Sequence, residues 1–304
     1  VLGGSGFVGG AAVRALGRRG AEVGTFHRSG SATIPGDRAD LPAHRETFAR
    51  FAPDVVLDTI AYSERDAAAL VAVARGLARR VVVLSSQDVY AAYGRLLGLE
   101  PGAPDPAAAS EDSPLRASRF PYRARAKPGD IAYDYDKILV EQAAASDAAL
   151  PATILRLPCV YGAGDPHRRV GQILDRVREG EPLLLDRTKA GWRWTRGAVE
   201  NVGESIALAV ADERATGRTY NVGEESALTE EAWTKSVLAA AGRTIEIRAV
   251  PFEQLPPGAV EPYDFRHDLA ADTGRIRREL GASEIVSREA ALAEAVARER
   301  SHPA

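Results

Sequence analysis

The segment "GDIAYDYDKILVE" (residues 129–141) sets two tyrosines, Tyr133 and Tyr135, ahead of a single lysine, Lys137. On an α-helix, residues four apart lie on one face, so Tyr133 and Lys137 converge while Tyr135 points away and reads as packing. A phenol is a poor base at neutral pH. Bringing it from about 10 to about 7 takes about 4 kcal/mol of preferential stabilisation of the phenolate. An ammonium beside it in a partly dry cleft supplies that stabilisation. Tyr133 is therefore the candidate acid/base. Pairs of this kind are commonly structural, so its chemistry depends on what else the fold brings near.

Upstream, "VVVLSSQDVY" ends an apolar run with Ser85 and Ser86. That is the carboxyl edge of a strand, where open α/β sheets bind ligands and where a hydroxyl can orient a substrate alcohol or carbonyl. At the start of the chain, "GGSGFVGG" spaces Gly3, Gly6 and Gly9 as GxxGxxG between apolar residues and an amphipathic stretch. Glycine allows a tight turn and close approach of backbone to a pyrophosphate, and the following helix N-terminus offers unpaired N–H groups. The next strand ends in "TFHRSG", with His27, Arg28 and Ser29 and no acid. An acid there accepts from a ribose 2'-hydroxyl, whereas basic and hydroxyl groups suit a 2'-phosphate, so NADP is favoured over NAD.

These residues need elements to hold them. Short β-branched runs at Val1-Leu2, Val23 to Phe26, Val55 to Thr59, Val81 to Ser85 and Ala152 to Arg156 alternate with helical patterns. The helices are expected at Phe7 to Arg19, Arg65 to Ala78 and Tyr133 to Ser146. Such alternation predicts βαβ units and a doubly wound parallel α/β sheet. After Pro158 a mixed set follows, with helices near 170–179, 201–211, 230–241 and 287–299 and the strand "IEIRAV", suiting a smaller mixed α/β C-terminal substrate-binding lobe. The division expected is 1–158 for the dinucleotide-binding domain and 159–304 for most of the lobe, some of whose segments return to the first domain. Residues 91–129, rich in Pro, Ala and Gly, read as a long loop or lid inserted into the first domain.

Composition narrows the classes. At 304 residues, 45% hydrophobic and 27% charged, the chain can bury a large core in one domain or two associated ones. A net charge of -3 and a pI near 6.1 give no global attraction for a phosphate backbone, which argues against nucleic acid as a partner. The single cysteine, Cys159, cannot form an internal disulfide, and no run of about 18 apolar residues offers a membrane span, so a cytoplasmic protein is expected. Cys159 reads as a buried structural thiol. The five histidines and scattered acids show no metal-ligand spacing, and no metal is expected. No methionine occurs, so residues before Val1 are expected to be missing, and "VLGG" reads as the tail of a strand.

Taken in order, "GGSGFVG", "GDRADL", "SSQDVY", "YDYDK", "RLPCVYGAGD" and "TYNVG" resemble the short-chain dehydrogenase/reductase superfamily, in its extended NAD-dependent epimerase/dehydratase branch. The resemblance covers nearly the whole chain and implies a Rossmann-type fold and an NAD(P)-dependent oxidoreductase or epimerase. It implies Tyr133 as general acid/base, Lys137 as the group that holds the nicotinamide ribose and lowers the tyrosine pKa, and Ser86 as the substrate-orienting hydroxyl. Around the cofactor it implies Gly3, Ser5, Gly6, Phe7, Val8 and Gly9 at the pyrophosphate turn and Asp40 with Leu41 at the adenine. Ala61 would line the cofactor channel and Pro158 would lie beside the nicotinamide. A nucleotide-linked sugar is the implied substrate and a homodimer is compatible with the family.

The departures bear on the reaction. The 4,6-dehydratases of this branch carry an Asp-Glu pair where this chain has Gln87 and Asp88. Glutamine cannot act as an acid, so epimerisation or reduction is favoured over dehydration, with Gln87 and Asp88 as substrate-binding candidates. The basic end of the second strand resembles atypical members, among them chloroplast stem-loop-binding proteins. "GWRWTRG" supplies Arg193 and Arg196 as diphosphate partners, with Trp192 and Trp194 either stacking on a base or packing between lobes. The insertion carries Arg116, Arg119, Arg123, Arg125 and Lys127 among aromatics, either to clamp phosphates or RNA or merely as a solvated loop. Two alternatives stay open: an NADPH-dependent ketone reductase acting on a small metabolite, and a dinucleotide-bound RNA-binding or regulatory protein.

Overall fold

A computed structural model of the chain describes residues 1–256 and 259–301; residues 302–304, at the end of the expected lobe, lie outside the described residues, as do 257 and 258. The first part runs α1 (Phe7–Arg18), β1 (Phe26–His27), β2 (Ile34–Pro35), α2 (Arg45–Phe51), β3 (Val55–Asp58), α3 (Glu64–Ala74), β4 (Arg80–Ser86), α4 (Ala91–Leu96), α5 (Lys137–Ala144) and β5 (Ala152–Leu157). There follow β6 (Cys159–Tyr161), α6 (Arg169–Leu174), β7 (Leu183–Asp186), α7 (Arg187–Gly191), β8 (Arg196–Ala198), α8 (Val199–Ala211), β9 (Thr219–Asn221), α9 (Glu230–Ala240), β10 (Ile247–Val250), α10 (Gly274–Leu280) and α11 (Arg288–Ser301).

Strands β3, β4, β5 and β9 pair in that order and all in parallel. The first residues of the chain join them to the parallel pair β1 and β2, because Leu2 bridges Phe26 on one side and Asp58 on the other. Alternation along the buried strands divides the core. Val81, Val83 and Ile154 pack on one face with Leu70 and Val73 of α3 and Val140 of α5. Val82, Leu84 and Leu155 pack on the other with Ala11 and Ala12 of α1 and Val202 and Ile206 of α8. Helices thus cover both faces, which is why β4 reads as an unbroken apolar run. Each such valine, removed from water, contributes about 1.5–3 kcal/mol. Close packing of α1 on α8 depends on Gly203, where a Cβ would stand 2.7 Å from the Ala11 carbonyl carbon.

A further apolar cluster lies among the later elements, with Tyr161, Ile173, Trp233, Val237, Leu292 and Val296. Two short parallel pairs, β6 with β8 and β7 with β10, belong to this part. Strand β9 and helix α8 return to the main sheet, as the contacts above require.

Two local expectations are corrected. Helix α5 begins at Lys137 and not at Tyr133, because Asp136 is extended (φ -156, ψ 107) and caps the helix by accepting from the Ile138 N–H at 2.9 Å. An aspartate immediately before an apolar helical run is a preferred N-cap, since its carboxylate satisfies a backbone donor that the helix leaves unpaired. The stretch 91–129 is likewise no free loop. It opens with α4, and Leu115 bridges Tyr90 while Ala109 bridges Ala271. Residues 101–108 are exposed. From Ala109 onward it is tied down, with the Asn221 side-chain amide donating to the Ala109 carbonyl at 2.9 Å and the Asn221 backbone N–H donating to Glu111 at 2.8 Å.

Candidate active site

The glycine turn has the geometry its spacing predicts. Gly3 is left-handed at φ +80, which glycine adopts without penalty, and a Cβ there would stand 2.5 Å from Thr59 Oγ1. A Cβ on Gly9 would meet the Gly3 carbonyl oxygen at 2.1 Å. Gly6 is the N-cap of α1, whose first turn holds no acid and whose N-terminus no side chain caps. Ser5 and Gly6 are exposed and Phe7 and Val8 half-buried. This backbone cradle fits a dinucleotide pyrophosphate: only glycine is tolerated at its closest approaches, and unpaired N–H groups and a favourable dipole face outward.

At the end of β1, the half-buried His27 accepts or donates at 2.9 Å with the exposed Ser29. The Arg28 side chain is 84% exposed and stands 4.0 Å from Asp37, so its guanidinium is available to a ligand. Asp40 is exposed, whereas the Leu41 side chain is sealed in the core. Ala61 is fully buried, and Pro158 lies between β5 and β6 against Gly197 and Gly223.

The tyrosines exchange the places expected of them. Tyr133 sits in a turn before α5, its carbonyl accepting from Arg123 Nε at 3.0 Å and its ring 4.8 Å under the Arg123 guanidinium. Tyr135, half-buried, donates its hydroxyl to Asp88 Oδ2 at 2.8 Å and lies beside Ser86. Its ring lies 5.8 Å from Lys137 Nζ and stacks at 6.1 Å on Tyr62. Ser86, Tyr135 and Lys137 therefore converge at the carboxyl end of β4. Ser85 faces inward instead, donating to Glu141 at 2.5 Å, and Arg156 holds the same Glu141 through two bonds of 3.0 and 2.8 Å.

Lys137, 5% exposed, donates to the carbonyls of Ala61 at 2.6 Å and Leu84 at 2.8 Å. Burial brings its ammonium down to about 8, with Asp88, Asp58 and Asp66 opposing the fall. Asp88 is 6% exposed, and burial pushes its carboxyl above the usual carboxylate range against the pull of Arg116. Tyr122 also donates to Asp88 Oδ2, at 3.2 Å, and its hydroxyl is 2.7 Å from that of Tyr93. Burial and the Asp88 carboxylate hold Tyr135 and Tyr122 well above the ordinary phenol value, and Tyr93 is pushed up to about 12 by the same causes.

Three of these tyrosines, Tyr62, Tyr93 and Tyr122, were not marked as site residues by the sequence. Their spacing carries no period, since they come from three separate parts of the chain: the turn after β3, helix α4 and the insertion. The cap signal in "YDYDK" was the available clue to Tyr135, because Asp136 stops the helix short of Tyr133.

Among the later elements, a cleft of about 790 Å³ is lined by Tyr93, Cys159, Arg169, Trp192, Arg196 and Trp233, among others. Arg196 is 5% exposed, paired with Glu230 at 2.5 Å and stacked 4.5 Å over Trp233. Arg193 does not line this cleft; it points outward and donates to the Ala227 carbonyl at 2.9 Å. Gln87 and Asp88 do not line it either. Both are buried, Gln87 donating to the Val222 carbonyl at 2.9 Å. Cys159 is buried and burial raises its thiol, so it is no ready nucleophile. A second cavity of about 360 Å³ opens at the opposite edge of the sheet, among Val1, Phe48, Phe51 and Val55, away from these groups.

The insertion arginines divide. Arg116 is 1% exposed, donates to the carbonyls of Asp88 at 2.5 Å and Ser118 at 2.7 Å, and faces Asp136 at 3.5 Å. Arg119 donates to the Arg116 carbonyl at 2.7 Å and Arg123 is engaged with Tyr133, while Arg125 and Lys127 are exposed. A clamp using all five is therefore not formed: the inner members hold the insertion together. Among the described residues no helix is long and apolar enough to cross a membrane, and no group of three or more His, Cys, Asp or Glu could hold a metal ion.

A comparison with curated protein sequences finds no match. Solved structures of like fold include a Thermus thermophilus UDP-glucose 4-epimerase in complex with NAD (22% identity, TM-score 0.68, covering 98% of this chain and 97% of that one). Another is the Bacillus cereus UDP-N-acetylglucosamine 4-epimerase (17% identity, TM-score 0.72, 98% of each chain). A third is a short-chain dehydrogenase/reductase superfamily protein of Agrobacterium tumefaciens with bound NAD (21% identity, TM-score 0.69, 99% of this chain and 96% of that one). The sequence itself matches over residues 1–223, the stretch that builds the glycine turn, the Ser86–Tyr135–Lys137 group and the sheet beneath them. The chain belongs to the NAD dependent epimerase/dehydratase family.

Proposed function

We propose that this protein is an NADP-preferring oxidoreductase or epimerase that acts at a secondary alcohol or ketone of a nucleotide-linked sugar, with residues 1–158 serving the dinucleotide and most of 159–304 the substrate. The observation that carries the reading is the convergence of Ser86, Tyr135 and Lys137 at the mouth of the sheet. Gly3, Ser5, Gly6, Phe7, Val8 and Gly9 would hold the pyrophosphate, His27, Arg28 and Ser29 the adenosine ribose and its phosphate, and Asp40 and the Leu41 backbone the adenine. Ala61 and Pro158 would flank the nicotinamide. When bound, the dinucleotide gives or takes the hydride.

The remaining work falls to the side chains. Ser86 orients the substrate oxygen, and Tyr135, in the role first expected of Tyr133, exchanges its proton. Lys137 spends two of its three hydrogens on the Ala61 and Leu84 carbonyls, leaving one for a ribose hydroxyl. Arg196 and Arg169 stand in the cleft where a diphosphate would be received. The exposed tip of Arg28 supports NADP over NAD.

Reduction of a small ketone is the second reading, favoured by one observation: burial and the Asp88 carboxylate keep Tyr135 in the protonated form that a reduction needs. The test is to identify the dinucleotide that co-purifies, then follow absorbance of the reduced nicotinamide with a panel of nucleotide sugars and simple ketones. Product change without net cofactor change indicates epimerisation, and net oxidation indicates a reductase. Absence of any bound dinucleotide, with no turnover from either substrate set, would sink both readings.

A further inference from the structure

We propose that Asp88 is the proton store of this site, acting through Tyr135, and that Tyr122 and Tyr93 connect it to the substrate cleft. The inference rests on Tyr135 as the group that meets substrate. Four oxygens form a continuous path: Tyr135 to Asp88 Oδ2 (2.8 Å), Tyr122 to the same Oδ2 (3.2 Å), and Tyr122 to Tyr93 (2.7 Å). Tyr93 lines the cleft. The other carboxylate oxygen, Asp88 Oδ1, is buried with no hydrogen-bond partner. A buried carboxylate with one oxygen unpaired loses the solvation that favours its charged form, so protonation relieves it.

This arrangement alters what Tyr135 does. Burial and the carboxylate that accepts its hydroxyl make Tyr135 a weaker acid than a free phenol, so it stays protonated at neutral pH, and the lysine-lowered phenolate expected at Tyr133 does not describe it. The two members work as a unit instead, the carboxyl drawn upward by burial towards the phenol. During alcohol oxidation the substrate O–H bond breaks and its proton bonds to the Tyr135 oxygen, as the Tyr135 proton passes to Asp88 Oδ2. With the hydride taken up by the acceptor that a bound dinucleotide would supply, Asp88 ends neutral. Reduction runs the same transfers backwards, with Asp88 ending as the carboxylate. To reset after net oxidation, the Asp88 proton moves to Tyr122, the Tyr122 proton to Tyr93, and the Tyr93 proton to water in the cleft. Epimerisation returns the proton by the first route and needs no reset.

The groups facing Asp88 are Tyr122 and Arg116 of the insertion, Tyr135 just before α5, Lys137 at its start, and, through Tyr122, Tyr93 of α4. Arg116 and Lys137 hold the carboxyl down and burial holds it up. Its titration therefore reports the balance of these partners.

The test begins with the protein free of cofactor. Tyrosinate absorbance is followed with pH in the wild type, Asp88→Asn, and each of these combined with Tyr135→Phe, so that the Tyr135 signal is taken by difference. In the wild type, Tyr135 stays protonated beyond the ordinary phenol range; in Asp88→Asn, with burial still opposing ionisation, it ionises at lower pH than in the wild type, a change of at least tenfold in its acidity. An unchanged Tyr135 signal would overturn the proposal. This readout needs no substrate, so it stands even if no nucleotide sugar is turned over. With an active substrate, the limb of the pH–rate profile assigned to Asp88 should vanish in Asp88→Asn and return in Asp88→Glu. Tyr122→Phe, which keeps the carboxyl and the packing if Asp88→Asn fails to fold, should move that limb to higher pH. It should also slow steady-state net turnover more than a single turnover. A profile that stays put in Asp88→Glu and Tyr122→Phe alike would reduce Asp88 to a structural anchor.

Discussion

Tyr135 and Asp88, forty-seven residues apart in sequence, share a hydrogen bond of 2.8 Å beside the end of β4, while Tyr133 faces Arg123 outside the helix. Replacing each tyrosine by phenylalanine separates their roles. Tyr135→Phe should lower kcat by 10²–10⁴-fold, the usual worth of a positioned acid or base, and Tyr133→Phe should leave kcat within about threefold. Steady-state rates on whichever substrate the panel identifies decide it, and the opposite ranking would restore Tyr133.

Gly9→Ala puts a Cβ 2.1 Å from the Gly3 carbonyl oxygen, and a backbone neighbour cannot move aside as a side-chain tip can. The turn must shift. A loss of about 1–3 kcal/mol of stability is expected, with dinucleotide affinity reduced by more than tenfold. Thermal unfolding and a dinucleotide titration read the two effects separately. An alanine variant that binds normally would mean that the turn does not approach the pyrophosphate.

Arg28 is free in solution apart from a 4.0 Å approach to Asp37. Arg28→Ala should cost about tenfold in affinity for NADP, about 1.4 kcal/mol, while leaving NAD within twofold. Equal losses for both dinucleotides would place the guanidinium elsewhere than at the 2'-phosphate.

The Lys137 ammonium, brought to about 8 by burial, would have an ordinary value of 10.5 once unfolded. Between these values the unfolded chain keeps a proton that the folded chain has released, so stability rises with pH across the window. Below about 8 both states are charged and the cost of burying the charge is fully present. The difference in unfolding free energy between wild type and Lys137→Met should therefore be flat below about pH 8 and shift in favour of wild type by up to about 3 kcal/mol by pH 10.5. Denaturant melts of the two proteins side by side cancel the contributions of other groups. A difference that does not vary with pH would mean that the lysine is not desolvated.

Beneath the site, Arg156 and Glu141 are buried and doubly bonded. Arg156→Met leaves the Glu141 carboxylate with only the Ser85 hydroxyl and should cost about 3–5 kcal/mol. Adding Glu141→Gln should recover part of that loss, because the uncompensated charge is removed. Urea unfolding of the single and double variants measures the recovery, and a double variant no more stable than the single one would rule out the stranded charge as the cause.

The sheet was legible because its signal is collective: several β-branched runs, each between helical patterns, admit few topologies, and their buried faces are read directly from alternating residues such as Val81 and Val82. The glycine turn was legible for a similar reason, three small residues at fixed spacing before a helix. The helical placement of Tyr133 failed on one local competition. Periodicity alone extends α5 back to Tyr133, but the Asp136 carboxylate satisfies the helix N-terminus one residue before Lys137 and releases the preceding chain. The carboxylate–hydroxyl cluster was hidden more deeply. Asp88 was marked as a substrate contact from its place after Ser86, yet the partners that turn it inward come from α4, the insertion and the approach to α5, which only tertiary structure brings together.

The insertion offers a protease two different faces. Residues 101–108, exposed and rich in proline and alanine, are open to cleavage, whereas from Ala109 the chain is held by Asn221 and by the backbone of residues 270–272. Upstream of the exposed stretch, α4 is held by the Ala92 and Leu96 contacts with Trp192, Phe265 and Leu269. A nick in 101–108 therefore yields two fragments on a denaturing gel that still migrate together as one native particle, with the Asp88–Tyr135 bond uncut between them.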